Sequence, residues 1–232
     1  MSKVTLCASI TTTDIAAVKK IEPIVDLFEV RIDLIGDSWT EVARQLKKPW
    51  IACNRMVEEG GKWEGNEARR IERLLQAVEL GAKIVDIEYN AKNVENIIRL
   101  IKKRADCLLS FHDFQKTPPL DMLKQIVSKE IKAGADICKI VTTAQTFEDN
   151  LAVMRLFSEF PGTKMVAFAM GTQGFISRVM APLIGAYFTY GAVQKGVESA
   201  PGQLPLLEII SDRKSTRLKS SHSQQSLMQS SA

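Results

Sequence analysis

The sequence predicts a (β/α)8 barrel, and three observations lead to that prediction. Eight short apolar runs recur along the 232 residues, segments with helical spacing separate them, and TTTD rather than a glycine-rich turn follows the first run. Strands that alternate with helices indicate a parallel sheet, because parallel strands need a crossover connection. A doubly wound sheet would usually carry a Gly-rich phosphate turn after its first strand. The closed barrel therefore fits this chain better.

The predicted strands are short runs of β-favouring apolar residues. In order they are VTLCASI from Val4, LFEVRIDL from Leu27, WIACNRM from Trp50, KIVDIEY from Lys83, CLLSFHDF from Cys107, ICKIVTT from Ile137, KMVAFAM from Lys164 and AYFTYGAV from Ala186. Helical periodicity is plainest over residues 66–80 and 120–133. Gly81, Gly134 and Gly185 come just before strands, and we expect left-handed caps at the helix ends there.

The second run alternates between an apolar and a charged row. The apolar row is Phe28, Val30, Ile32 and Leu34, and the charged row is Glu29, Arg31 and Asp33. In a barrel the outward row meets helices and must be apolar, whereas the inward row lines the active site near the strand ends. We therefore expect the charged row inside. The alternative is an internal ion-pair network without a catalytic role.

Other strands also carry charged residues that we expect inside the barrel, namely Arg55, Asp86, Glu88, His112 and Lys139. Lys139 lies within an otherwise apolar run, and buried lysines are rare. Near Arg31, Arg55 or Arg178, and partly desolvated, its pKa would fall, and the free amine could form an imine with a carbonyl. The alternative is a lysine that reaches the strand end and pairs with a carboxylate.

His112 is one of two histidines; the other, His222, lies in a Ser-rich segment. An inward histidine beside a reactive lysine could exchange protons near neutral pH, and the alternative is a hydrogen-bonded core histidine. Two Gly-containing loops, MVEEGGKWEGN from Met56 and GAVQKGVESAPGQ from Gly191, could cover a pocket, the first through Glu59 and Trp63. Simple connecting turns are the alternative for both.

The composition indicates one globular domain, which we place at residues 1–211. The chain is 45% hydrophobic and 25% charged, and no apolar run approaches the roughly 18 residues that cross a bilayer. The four cysteines are Cys7, Cys53, Cys107 and Cys138, without a C-x-x-C pair. We therefore expect a cytoplasmic protein with reduced thiols and no membrane partner.

The net charge of +4 does not indicate a nucleic-acid partner. Residues from Asp212 onward carry four basic side chains against one acidic one, which accounts for +3 of the total. The rest is nearly neutral and shows no basic stripe with interleaved aromatic residues.

Six motifs between Val4 and Gln203 carry a resemblance to a known family. They are E-V-R-I-D, N-R-x-x-x-E-G-G, S-F-H-D-F, C-K-I, M-G-x-x-G-x-x-S-R and S-A-P-G-Q. In this order they resemble type I 3-dehydroquinate dehydratase of the shikimate pathway. The resemblance implies a (β/α)8 barrel, commonly a homodimer, that needs no metal or cofactor. It also implies a lyase that converts 3-dehydroquinate to 3-dehydroshikimate by syn elimination of water through a lysine imine.

The same resemblance implies roles for individual residues. Lys139 would form the Schiff base, His112 would act as general acid and base, and Glu59 would orient that histidine. The substrate carboxylate and hydroxyls would be bound by Glu29, Arg31, Arg55, Arg178, Ser199 and Gln203. Ser9, Asp86, Phe114, Met170 and Tyr190 fall on positions that line the pocket. Tyr190 stands where phenylalanine is more usual, and the ring is kept.

The chain departs from the family pattern after LPLLEIIS. Residues 212–232, DRKSTRLKSSHSQQSLMQSSA, are rich in Ser and Gln, so we expect disorder there and interpret the segment as a non-native tail. The last helix of the barrel would then be incomplete.

Two other functions remain open from the sequence. One is a class I aldolase acting on a sugar phosphate, with MGTQG from Met170 as the phosphate site, although Arg178 and SAPGQ suit a carboxylate better. The other is a truncated, non-catalytic barrel fragment of a bifunctional shikimate-pathway protein.

Overall fold

The computed structural model of the chain describes residues 4–193 and 196, which contain eight parallel strands alternating with helices. The strands are β1 (Leu6–Ile10), β2 (Leu27–Arg31), β3 (Trp50–Cys53), β4 (Ile84–Glu88), β5 (Asp106–His112), β6 (Ile137–Thr143), β7 (Met165–Met170) and β8 (Thr189–Ala192). Their order is β7-β6-β5-β4-β3-β2-β1-β8. The backbone N–H of Tyr187, just before β8, donates to the Met165 carbonyl of β7 at 2.8 Å, so the two edge strands also meet. The (β/α)8 barrel is confirmed.

The helices follow the strands as crossover connections. They are α1 (Ile15–Ile21), α2 (Ile32–Ile35), α3 (Trp39–Ala43), α4 (Glu67–Glu79), α5 (Val94–Ile101), α6 (Leu120–Ala133), α7 (Asp149–Glu159) and α8 (Phe175–Ile184), with 3-10 turns at Gly36–Ser38 and Val57–Glu59. The expected last helix and the segment from Asp212 lie outside the described residues. Among residues 4–193 and 196, no helix has the length and apolar character that a membrane span needs.

Side chains of β2 alternate between the helix layer and the barrel interior, as predicted, up to the end of the strand. Phe28 and Val30 are fully buried between the strands and the helices, whereas Glu29 and Arg31 line an internal cavity. The strand ends at Arg31, however, and residues 32–35 form a helical turn. Ile32 still packs in the same apolar cluster as Phe28 and Val30, as predicted. The prediction for Asp33 and Leu34 is wrong, because a period of two no longer separates two faces once the backbone turns helical.

Glycine ends the helices as predicted. Gly134 caps α6 in the left-handed conformation with φ +102°, and its N–H donates to the carbonyl of Ile131 at 3.0 Å. Gly81 and Gly185 also have positive φ. A residue with a Cβ would be strained at such positions, which explains why glycine stands there.

The barrel interior is apolar at one end and charged at the other. The apolar end contains Leu27, Ile51, Ile84, Leu108 and Ile137, all at inward positions of neighbouring strands. Two residues further along these strands the inward side chains become Glu29, Cys53, Asp86, Ser110 and Lys139. The polar layer is therefore nearer the carboxyl ends of the strands, where barrel enzymes carry their active sites.

Candidate active site

A cavity opens above this charged layer. Its lining is Glu29, Arg31, Cys53, Arg55, Glu59, Gly60, His112, Phe114, Lys139, Val141, Phe168, Met170, Arg178 and Tyr190. The structure therefore brings ten of the predicted site residues around one space. Ser9 and Asp86 do not line it but bond to side chains that do. Ser199 and Gln203 lie outside the described residues.

Lys139 is held inside the barrel by two carboxylates. Its Nζ is 2.8 Å from Asp86 Oδ2 and 3.7 Å from Glu29 Oε2, and the side chain is only 7% exposed. Burial disfavours the ammonium, but Asp86 and Glu29 outweigh that effect, so the pKa of Lys139 is raised. The expected fall in the pKa is therefore wrong, because the nearest charges are carboxylates rather than arginines. The lysine must lose a proton before it can attack a carbonyl.

Asp86 connects this lysine to Arg55. Its Oδ1 accepts from Arg55 Nη2 at 2.6 Å and from Ser110 Oγ at 2.7 Å, while Oδ2 faces Lys139. Burial alone would raise the pKa of Asp86, but Arg55 and Lys139 hold it well below its usual range. Asp86 is therefore ionised at physiological pH and does not accept the proton of the lysine.

Glu29 holds the opposite side of Lys139. Its Oε1 accepts from Ser9 Oγ at 3.0 Å and its Oε2 accepts from the Tyr190 hydroxyl at 2.8 Å. The Tyr190 ring also lies 4.8 Å from Lys139 Nζ, measured to the ring centroid. The hydroxyl of Tyr190 therefore gives this ring a bond that a phenylalanine could not make.

His112 and Glu59 form a pair on another wall. The Nδ1 of His112 lies 2.8 Å from Glu59 Oε2, and the ring stacks on Phe114 with 6.1 Å between centroids. Burial, reinforced by Arg55 and Lys139, holds the pKa of His112 well below its usual range. Burial also raises the pKa of Glu59 to about 8. The imidazole is therefore neutral at physiological pH, as an acceptor of a substrate proton must be.

The two remaining arginines differ in their surroundings. Arg31 forms a two-point contact with Asp33, through Nε at 3.0 Å and Nη2 at 2.7 Å. Arg178 comes from α8 and lies 4.2 Å from the centroid of the Phe168 ring. Burial lowers the pKa of Arg178 to about 10. A guanidinium on the wall of a cavity can bind a carboxylate through two parallel hydrogen bonds.

Four lining residues are absent from the predicted site, namely Cys53, Gly60, Val141 and Phe168. Cys53, Val141 and Phe168 occupy inward positions of their strands, so extending the period-two rule to apolar residues would have found them. Gly60 is recognisable only in three dimensions: a Cβ built on it would lie 2.2 Å from Phe114 Cζ. Trp63, expected over the cavity, does not line it and instead lies beneath Arg73, 5.1 Å from the ring centroid.

One trio of potential metal ligands occurs among residues 4–193 and 196. The ligand atoms of Glu29, Cys53 and Asp86 lie within 4.8 Å of one another. Burial raises the pKa of the Cys53 thiol, which opposes the thiolate form that binds metals. The ammonium of Lys139 already compensates the two carboxylates. The donor set therefore fits a lysine site better than a metal site.

The sequence of this chain is similar to those of one known family. The sequence model of the type I 3-dehydroquinase family matches residues 4–212. A 3-dehydroquinate dehydratase of Dehalococcoides mccartyi is 41% identical over 205 residues, which cover 88% of this chain and 92% of that protein. Another from Methanosarcina mazei is 36% identical over 206 residues, covering 82% and 85%.

Solved structures agree in fold. The type I 3-dehydroquinate dehydratase of Clostridium difficile superposes with a TM-score of 0.81 at 22% identity, covering 91% of each chain. The 3-dehydroquinate dehydratase of Enterococcus faecalis gives a TM-score of 0.72 at 26% identity, covering 84% of this chain and 91% of that one. The family match includes every strand of the barrel and every described residue of the cavity. This chain belongs to the type I 3-dehydroquinase family.

Proposed function

We propose that this protein is a 3-dehydroquinate dehydratase that removes water from its substrate through an imine on Lys139. One observation carries the proposal: a buried lysine held by two carboxylates and a neutral histidine held by Glu59 line the same cavity. A nucleophilic amine and a proton carrier are the two groups that imine chemistry requires. Family membership also favours this reaction over a sugar-phosphate aldolase.

Imine formation begins with loss of a proton from the Lys139 ammonium. The neutral imidazole of His112 is the base available, because Asp86 stays ionised. The amine then attacks C3 of 3-dehydroquinate. His112 carries two protons in turn to the carbonyl oxygen, the one it took first and one from the attacking nitrogen, so the oxygen leaves as water and a protonated imine remains. Asp86 and Glu29 remain beside the nitrogen, where they compensate the positive charge of the protonated imine.

Elimination follows from the same two groups. The imine is an electron sink that makes the C2 proton acidic, so His112 can remove it and leave an enamine. The enamine expels the C1 hydroxyl, to which the imidazolium donates its proton. Water then hydrolyses the product imine and releases 3-dehydroshikimate and the free lysine. Protons balance throughout, and one histidine serves every transfer.

The other predicted residues bind the substrate in this proposal. Arg178 contacts the carboxylate and sets the ring orientation on which removal of the C2 proton depends. Arg31, Arg55 and Glu29 face the cavity as hydrogen-bonding groups for hydroxyls, and Ser9 acts through Glu29. Met170, Phe114 and Tyr190 enclose the ring. Ser199 and Gln203 are proposed to complete the carboxylate and hydroxyl contacts.

Borohydride trapping tests the proposal directly. Intact-protein mass should show a reduced adduct after incubation with 3-dehydroquinate and borohydride. Lys139→Ala should abolish both adduct and turnover, and Lys139→Arg should fail equally, because a guanidinium does not form the imine. Lys132→Ala, an exposed lysine of α6, is the matched control and should keep both. An adduct that persists on Lys139→Ala would place the nucleophile elsewhere, and absence of any turnover would favour the non-catalytic barrel fragment.

We further propose a homodimer in the cytoplasm. Helix α8 exposes a broad apolar face of Phe175, Ile176, Val179, Met180 and Leu183, which supports contact with a second copy. The four cysteines are free and buried, which suits a reducing compartment. Sedimentation should give a dimer for the wild type and for Leu100→Glu, an exposed leucine of α5, but a monomer for Leu183→Glu. A Leu183→Glu dimer would rule out this face.

A further inference from the structure

Arg70 is a fully buried arginine that reaches the site from outside the barrel. It lies on α4 with 0% exposure, on the same helical face as the buried Leu74 and Ala77. The helix begins at Glu67 after Asn66, whose side chain accepts from the Arg69 N–H at 2.9 Å. This N-terminal cap sets where the helix starts and therefore which face carries position 70. A buried arginine must find anionic partners, because an isolated buried charge is costly.

Three groups hold the guanidinium of Arg70. Its Nη1 donates to Glu88 Oε2 at 2.6 Å and to the carbonyl of Asn54 at 3.0 Å. Its Nε and Nη2 contact the two carboxylate oxygens of Glu67 at 2.7 and 2.8 Å. The contact with Asn54 fixes the backbone immediately before Arg55. Arg70 therefore joins helix α4, strand β4 and the end of β3 at one point.

Glu88 connects Arg70 to the site through Arg55. Its Oε1 lies 3.2 Å from Arg55 Nη1, while Oε2 faces Arg70. Arg55 in turn donates to Asp86 Oδ1 at 2.6 Å, and the other oxygen of Asp86 contacts Lys139. Positive and negative side chains thus alternate from α4 to the lysine. Glu88 and Asp86 each contact two cations. The loss of one cation therefore changes the electrostatic surroundings of the next carboxylate as well.

We propose that Arg70 and Glu88 are a positioning pair for the reaction: Arg70 holds Glu88, and Glu88 holds Arg55, at the spacing that leaves one oxygen of Asp86 for Lys139. Neither residue lines the cavity, so neither contacts the substrate. The inference rests on the proposed imine chemistry of Lys139. It extends the site by a buried ion pair between the β3–β4 side of the barrel and helix α4.

The charges of Arg70 and Glu88 also affect the pKa values of Lys139 and Glu59, the two groups whose protonation state influences the reaction. The groups facing Lys139 are Asp86, Glu29, Arg55, Cys53 and Tyr190, and those facing Glu59 are Arg55, Glu88, Asp86, Lys139 and His112. Removing the charge of Arg70 makes these surroundings more negative, which favours the protonated forms of Lys139 and Glu59. Removing the charge of Glu88 does the opposite. A merely structural pair would not give shifts of opposite sign.

The test compares pH profiles of kcat/KM and of the rate of borohydride-trapped adduct with 3-dehydroquinate, from about pH 6 to about pH 10. Arg70→Met should shift the rising limb of both profiles to higher pH by about one unit. At a pH below the limb, this shift lowers kcat/KM about tenfold. Glu88→Gln should shift it to lower pH. The double variant, which restores the net charge, should return the limb close to the wild-type position.

Two controls separate charge from packing. Arg69→Met removes a charge from an exposed position of the same helix and should leave the profile unchanged. If both single variants lose the same factor at every pH, the pair is only structural and the inference fails. If Arg70→Met does not fold, Glu88→Gln still decides: a limb at or above the wild-type pH overturns the inference.

Failure of the proposed function would look different. A wild-type protein that gives no trapped adduct with 3-dehydroquinate would refute the imine chemistry itself. A wild-type adduct combined with unshifted limbs in both single variants would refute only the role of Arg70 and Glu88.

Discussion

Lys139 and Asp86 form a direct ion pair inside the barrel, with Nζ and Oδ2 2.8 Å apart and the Asp86 side chain fully buried. The same carboxylate accepts from Arg55 and Ser110. Asp86 therefore compensates the charge of two buried cations at once. It also favours the protonated form of Lys139 before substrate binds. Loss of Asp86 should therefore reduce the free energy of unfolding as well as the activity.

Asp86→Asn should reduce the free energy of unfolding by about 3 kcal/mol at neutral pH, because two buried cations lose their shared partner. The folded pKa of Asp86 is lowered, so its stabilisation is present above the unfolded pKa near 4 and is lost as the pH falls below it. The difference between wild type and variant should therefore shrink by about 2 kcal/mol between about pH 5 and about pH 2.

Urea unfolding at several pH values measures both effects of that substitution. Asp121→Asn, an exposed carboxylate of α6, is the control and should behave as wild type. A constant difference between wild type and Asp86→Asn across the acid range would mean that Asp86 is not the low-pKa group.

His112→Ala should separate proton transfer from imine formation. Turnover should fall by at least about 10²- to 10⁴-fold, the usual share of general acid–base catalysis, because the imidazole no longer moves protons. Borohydride should still trap an adduct, though more slowly, since the amine of Lys139 remains and water can carry the protons that His112 moves during imine formation. The measurement combines a steady-state assay with intact-protein mass, and His222→Ala is the control. Near-normal turnover would refute the role of His112, and loss of the adduct as well would mean that imine formation also needs it.

Glu59→Gln should remove a rise of kcat/KM with pH. Below about pH 8 Glu59 is protonated and can donate to Nδ1 of His112, which leaves the hydrogen on Nε2. Above that pH the carboxylate accepts from Nδ1–H, and Nε2 becomes free to take a substrate proton. We therefore expect kcat/KM of the wild type to rise through a limb near pH 8.

An amide does not titrate in this range, so the limb should vanish in Glu59→Gln. The neighbouring Glu58→Gln, an exposed position, should keep it. A limb that survives unchanged in Glu59→Gln would assign the titration to another group.

Gly60→Ala should damage the site more than the backbone strain alone explains. Gly60 has φ +74°, and an added Cβ would lie 2.2 Å from Phe114 Cζ, so Phe114 and the His112 ring stacked on it must move. Gly36 has nearly the same φ, +76°, with open space around its Cβ position, but its ψ of −152° lies in a region that only glycine adopts readily. Both alanine variants should therefore lose stability from backbone strain, Gly36→Ala more than Gly60→Ala, but only Gly60→Ala should lower kcat, by about tenfold or more. Equal kcat in the two variants would contradict this.

The barrel and most of its interior follow from the order of residues in the chain. Alternating residues in β2 to β6 identified Glu29, Arg31, Asp86, His112 and Lys139 as inward-facing, and this succeeded because successive side chains of a strand must point to opposite faces. Parallel strands also end at the same side of a barrel, so residues far apart in the chain converge without further information. Glycine at helix ends was readable for a similarly local reason, the steric cost of a Cβ at positive φ.

The limits of these local rules are set by contacts between distant parts of the chain. The alternation runs on past Arg31, but the strand does not, because the turn to a helix is set by packing rather than by the pattern. Arg70 left a signal, a charge at helical spacing from Leu74 and Ala77, yet its partner Glu88 lies on another element. The charge state of Lys139 was the hardest to read. It depends on the balance of desolvation against carboxylates at 2.8 and 3.7 Å, and distances across the barrel exist only once the chain has folded.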